Sequence, residues 1–399
     1  MRSYADKKGP SPAGAGENVK KAKKVRSPWA TRLRTELCLA LFRTKVCTVI
    51  TCNVAHRIEH HYVPCVYLKN FADANGQVSA YRLLVAHPNV REWQSLSPRG
   101  IAYRAHLYTR MVSGAESDEI EDWFGREFEG PAEEAIDRAT HDQSLTPAHW
   151  KTLIRFVAAQ DVRTPARLME RMAEWPKSIP PLLDKVARES IAKLEEAKRC
   201  GVPVQTTRPA HSEYLPVRIR TEIRPGEEMG RLSVETVAGR GFWLFSLKHL
   251  LTRTLNVLLE HRWTIVKPYS DMCWLTSDDP VIKLNYNSPN DYNLKGGWGW
   301  KGTEIMLPLG PRHLLYTQVG RRPPARGWAF PYEHTHIVRT IIVEHAHRMI
   351  FAAQPCPDVS RMRPRIVDAT AVRREREQWE TWHDEQTRAE RELKADHKH

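Results

Sequence analysis

Two Thr-Pro pairs, Thr146-Pro147 and Thr164-Pro165, constrain this chain more than any other feature of it. A threonine hydroxyl caps the first free N–H groups of a helix, and proline fits the first helical position, where no N–H is needed. Each pair therefore starts a helix. Between them Trp150, Leu153, Ile154 and Val157 recur at helical spacing and form one apolar stripe. The next positions on that stripe are Gln160 and Asp161, so an apolar face runs directly into polar groups. Burying an amide or a carboxylate without a partner costs several kcal/mol, so this helix end must meet other polar groups or water.

The elements on either side follow from the same reading. Ser117 is placed to cap a helix whose first turn is acidic (Glu119, Glu121, Asp122), with Ile120, Trp123, Phe124 and Phe128 on one face and Pro131 kinking or restarting it. The helix opened by Thr164-Pro165 is expected through Glu174, a charged helix over residues 183–199, and a long, largely buried helix over Phe242–Arg262. Short β-like runs flank this helical middle. "YVPCVYLKNF" and "NGQVSAYRLL" precede it, as a hairpin or as a short helix and a strand; "WTIVKP", "CWLTSDDPVIKLNY", "EIMLPLGPRHLLYTQV" and "RMIFAA" follow it. Strands, helices and strands again, without a βαβ rhythm, indicate an α+β fold, with the helical segment packed against short, mainly antiparallel strands.

The charge is uneven. Lys and Arg total 61 against 47 Asp and Glu, a net +14. Half of that surplus sits in residues 1–36, where ten basic residues face three acids. Residues 1–53 read as a basic, disordered extension, 54–357 as one domain, and 358–399 as a charged, solvated helical tail. The basic balance favours a nucleic acid or another polyanion as partner. Seven scattered cysteines without a CxxC pair fit reduced thiols in the cytoplasm, and no apolar run reaches transmembrane length.

Three segments carry groups capable of chemistry. In "EHHYVP" the adjacent His60 and His61 point to opposite faces of a strand, so at most one serves a site; His61 is the candidate acid–base residue, with Tyr62 beside it. Gln160, Asp161, Arg163 and Thr164 form the second cluster, in which Arg163 either closes a structural ion pair or clamps a phosphate. The third is "WLTSDDP": Ser277, Asp278 and Asp279 stand at a strand exit, as an ordinary turn or as carboxylates for a divalent metal. Phosphate loops, GxSxG elbows and HExxH are absent.

"HHYVPCVYLKNF", "AAQDVRTPARL", "WLTSDDPVIKL" and "IMLPLGPRHLLY", in that order, resemble the motifs of a bacterial family designated domain of unknown function 4238, over about residues 56–355. Cys65 departs from the Gln or Lys more usual after the proline. The resemblance implies one compact domain in which His61, Gln160, Arg163, Ser277 and Asp278 belong to one set, and implies no activity. Two readings follow. As a metal-assisted hydrolase or phosphoesterase, the chain would use His61, Asp278 and Arg163 in catalysis, Gln160, Ser277 and Tyr62 in substrate binding, and Asp278 with Asp279 at a metal. As a non-catalytic nucleic-acid- or protein-binding module, it would use the same polar groups as a structural core, with Trp298 and Trp300 exposed for contact.

Overall fold

The computed structural model describes residues 31–38, 58–112, 115–202, 217–223 and 230–395. The rest of the basic extension, and the disorder expected of it, lie outside the described residues.

Both Thr-Pro starts form as the local chemistry dictates. Thr146 Oγ1 accepts from the His149 N–H at 3.3 Å while His149 Nδ1 accepts from the Thr146 N–H at 3.1 Å, closing a capping box on the helix Pro147–Val162. Thr164 caps the next helix with a single bond, its Oγ1 accepting the Arg167 N–H at 3.4 Å. That helix runs from Pro165 to Arg199 as one rod, where the sequence suggests two. Pro176 and Pro181 are exposed and Pro180 half-buried, so carbonyls left without an N–H face water, while Trp175 and Ile179 hold the other side in the core. The acidic-start helix spans Glu119–Phe124 and continues through a π turn, Gly125–Glu129, into Gly130–Thr140. Pro131 thus falls in the first turn of a continuing helical segment, not at a break. The long helix expected over 242–262 forms as Arg240–His249, a π turn Leu250–Thr254 and Asn256–Leu259.

The strands assemble into small sheets. Five pair antiparallel in the order Thr264–Val266, His313–Gln318, Glu304–Gly310, Ile282–Ser288, Asp291–Asn293. Four more run Thr276–Ser277, Met349–Ala352, Val78–Arg82, Trp93–Leu96. The fold is α+β, and the five-stranded sheet divides its interior. Side chains alternate across a strand, so Ile305, Leu307 and Leu309 enter the larger core with the helices, while Met306 joins Trp274, Ile282, Leu314 and Ile342 in a second core. Both faces are dry, which explains why this stretch reads as a continuous apolar run.

Two corrections concern the ends of the chain. Thr31–Cys38, inside the segment expected to be an appendage, pairs with Gly230–Ala238, which pairs in turn with Val217–Ile223. The charged C-terminal stretch is helical over Ala369–Ala395, but it is not a solvated tail: Trp382 has no exposed surface, and Glu375, Gln386 and Glu390 bond to Arg348, Arg240 and again Arg240. Its apolar side belongs to the core. Among the described residues, no helix is long and apolar enough to cross a membrane.

Candidate functional site

The helix Pro147–Val162 delivers its polar end into the middle of the molecule, where three distant segments meet it. Arg163 is fully buried. Its guanidinium donates to Glu129 Oε1 at 2.7 Å, to the Tyr108 hydroxyl at 3.3 Å and to the carbonyl of His61, lies 3.9 Å from Glu121 Oε2, and stacks on Phe124 at 4.2 Å. One arginine thereby ties the "EHHYVP" strand to two helices. Every direction of its fork is taken within the protein.

Thr164 donates to Asp279 Oδ1 at 3.0 Å, which joins the second and third motifs. Asp279 Oδ2 lies 3.2 Å from both Arg167 and His345 Nε2. Burial opposes the charge on Asp279, but Arg167 and His345 outweigh it and hold the carboxyl well below its ordinary range. Ser277 donates to the Asp279 carbonyl at 2.9 Å and accepts its N–H at 3.2 Å, closing the turn within itself.

Asp278 faces elsewhere. Its oxygens accept the backbone N–H groups of His347 (2.9 Å) and Arg348 (2.8 Å), and so fix the turn leading into the strand Met349–Ala352. Burial pushes its carboxyl up to about 6 against the pull of those N–H bonds. The adjacent carboxylates therefore serve different partners: Asp279 a cation network, Asp278 a backbone turn.

At the first motif the two histidines occupy opposite faces, as adjacent residues of a strand do. His60 is the enclosed one; its Nδ1 accepts the Tyr108 N–H at 2.9 Å and its ring stacks on Tyr108. His61 is half-buried, its Nε2 at 3.1 Å from the Arg99 carbonyl, and burial lowers its pKa. The strand pairs Glu59–His61 with Tyr103–Ala105, and this register alone decides which face turns inward. Tyr62 is buried at 3% exposure, and burial raises its pKa.

Gln160 has no exposed surface, and neither amide atom has a partner among the described residues. Its neighbour Asp161 opens onto a groove of about 860 Å³ between the helices Pro165–Arg199 and Arg240–His249 and the loop 294–300. Asp161 Oδ2 accepts from Lys283 Nζ and from Trp298 Nε1, each at 2.7 Å, and Oδ1 lies 3.7 Å from Arg167 Nε. Burial again opposes ionisation; Lys283 and Arg167 prevail and keep the carboxyl below its ordinary range. Trp243, Leu247, Leu250 and Val257 supply an apolar floor.

Sequence reasoning did not find Lys283, Arg167 or His345 in this arrangement. Lys283 stands between Ile282 and Leu284 in a strand, and the pairing of that strand with Glu304–Gly310 leaves its amine on Asp161. Trp298, expected to be exposed, is 9% exposed and spends its N–H on Asp161; Trp300, at 63%, is open. A separate cluster of His106, Glu116 and His383 brings donor atoms within 4.8 Å of one another. Arg240 Nη1 lies 3.0 Å from His383 Nδ1, and His383 Nε2 lies 2.8 Å from Glu116 Oε1, so these side chains are held by one another.

A family model described as Protein of unknown function (DUF4238) matches residues 59–355, more than half of the chain. No curated protein and no solved structure matches.

Proposed function

The chain belongs to the DUF4238 family, and from that premise we propose that it is a non-catalytic binding module whose motif residues form a structural polar core supporting the groove. The observation that carries this reading is the pairing within that core. Arg163, Asp278 and Asp279 each direct their polar atoms at other groups of the protein, so an acid–base or phosphate-clamping role would first have to break those bonds. The groove is different: its floor is apolar, and Lys283 at its polar end is partly accessible.

Charge decides the ligand class. Arg167, Arg171, Lys283 and Lys295 line the groove with Asp161, Glu170 and Glu174, and Asp279 sits behind Arg167. Four cations meet four anions. A polyanion gains little from such a surface. An amphipathic ligand without large net charge, or an amphipathic segment of a partner protein, would lay its apolar part on Trp243, Leu247 and Val257 and its polar end against Lys283 and Asp161. The polyanion expected from the basic balance would then be met elsewhere than in the groove.

The hydrolase reading keeps one supporting feature, the Asp278 carboxyl, which burial pushes up to about 6, within range of general acid–base work. A single set of measurements separates the two. Wild type, Leu294→Glu and Lys283→Gln are titrated with the fluorescent amphiphile anilinonaphthalene sulfonate and assayed on a model phosphodiester with Mg²⁺, Mn²⁺ or Zn²⁺. Probe binding lost in both variants, with no turnover, is the expected result. Metal-dependent turnover abolished by Asp278→Asn would overturn the binding reading.

A further inference from the structure

A second concavity, of about 220 Å³, lies on the other side of the Asp278 turn. His347, Arg348, Arg363, Leu84 and Ala371 are among the residues lining it. Its cations are poorly compensated. Arg363 is half-buried and uses Nη1 on the carbonyls of Val343 (2.9 Å), Glu344 (2.8 Å) and Ala346, the end of the helix Tyr332–His345. Among the described residues no carboxylate lies within ion-pair distance of it. Arg348 Nε is paired with Glu375 at 2.7 Å, but the same carboxylate also serves Arg104 at 3.4 Å. Two acids act on Arg363 from further away: Asp278, whose oxygens are both occupied by the N–H groups of His347 and Arg348, and Glu344, whose carboxylate accepts from the Tyr292 hydroxyl.

We infer that this cavity is a binding site for a tetrahedral oxyanion, phosphate or the phosphoryl end of a small ester, held between Arg363 and Arg348. A guanidinium out of bulk water without a counter-ion is costly, and a helix C-terminus offsets that cost only in part. The Nη2 and Nε groups of Arg363 are not used by those carbonyls and form the planar fork that suits a phosphoryl oxygen pair. The turn is rigid because Asp278 holds two consecutive N–H groups, so the "TSDDP" motif shapes this site without touching the ligand. The site is independent of the groove.

The test is thermal unfolding and calorimetric titration of the full chain with inorganic phosphate, sulfate and glycerol phosphate, against sodium chloride of matched ionic strength. Wild type is expected to melt higher in phosphate than in matched chloride, with the rise growing as the logarithm of concentration. Arg363→Gln should weaken binding about tenfold or more, the worth of a charged hydrogen bond. Because Arg363 also caps a helix, Ala371→Glu gives an independent check. It adds a carboxylate at the cavity wall, in the first turn of Ala369–Ala395 where an acid is tolerated, and leaves Arg363 in place. A folded Ala371→Glu protein that no longer responds to phosphate supports the site. A phosphate response absent in wild type, or equal in wild type and Ala371→Glu, overturns it. A response to glycerol phosphate exceeding that to phosphate identifies the ligand as an ester; the reverse order identifies the free ion.

Discussion

Replacing Arg163 by methionine tests whether the motif cluster holds the fold together. Methionine keeps most of the buried volume and the contact with Phe124 but removes the guanidinium. Glu129, the Tyr108 hydroxyl and the His61 carbonyl then lose their donor, and Glu121, at 5% exposure, loses the cation 3.9 Å away. Breaking a buried ion pair from one side costs about 3–5 kcal/mol, because the remaining charge stays desolvated. Glu129 is 21% exposed and recovers some hydration, so we take about 4 kcal/mol. Against a typical total of about 5–15 kcal/mol this is a large fraction. With a urea dependence of about 3 kcal/mol per molar, the midpoint should fall by about 1.3 M. Circular dichroism in urea measures this directly. The cycle with Glu129→Gln adds the mechanism: if the stranded carboxylate is the cause, the double variant recovers more than about 1 kcal/mol of the loss. A loss under about 1 kcal/mol for Arg163→Met, or two additive losses in the cycle, would refute the argument that this arginine is a structural hub.

Two further outcomes follow from the same structure. Asp278 has its carboxyl raised to about 6, so the folded protein holds a proton that the unfolded chain releases near 4. Its contribution is complete below about pH 4 and is lost as pH rises through 6, about 3 kcal/mol in all; urea titrations from pH 4 to 7 should show that decline in wild type and a flatter profile in Asp278→Asn. An equal slope in both would place the titration elsewhere. The helix Ala369–Ala395 is anchored by Trp382, which has no exposed surface; Trp382→Ala should cost about 3–5 kcal/mol and open this helix to proteolysis. Unchanged cleavage would mean that the polar contacts of Glu375, Gln386 and Glu390 suffice.

Local chemistry fixed much of the architecture in advance. Thr146 and Thr164 cap helices because a threonine before a proline has few better uses for its hydroxyl, and the apolar runs around Ile305 and Leu314 pair as strands because β-branched and leucine-rich stretches between Pro and Gly turns do. The motif order was likewise sufficient to place the chain in its family. Tertiary structure decided matters that depend on partners far away in sequence. Strand register sent His60 inward and His61 toward the rim; a period of two says only that they differ. Whether Arg163 closed a structural pair or held a ligand depended on Glu129 and Tyr108, 34 and 55 residues away. Lys283 meets Asp161 across 122 residues, and Trp298 joins them across 137. Proline positions within Pro165–Arg199 gave a break in sequence and a continuous rod in space, because burial of Trp175 and Ile179 outweighed the missing hydrogen bonds. A sequence sets which groups need partners; only the folded chain decides which partners they find.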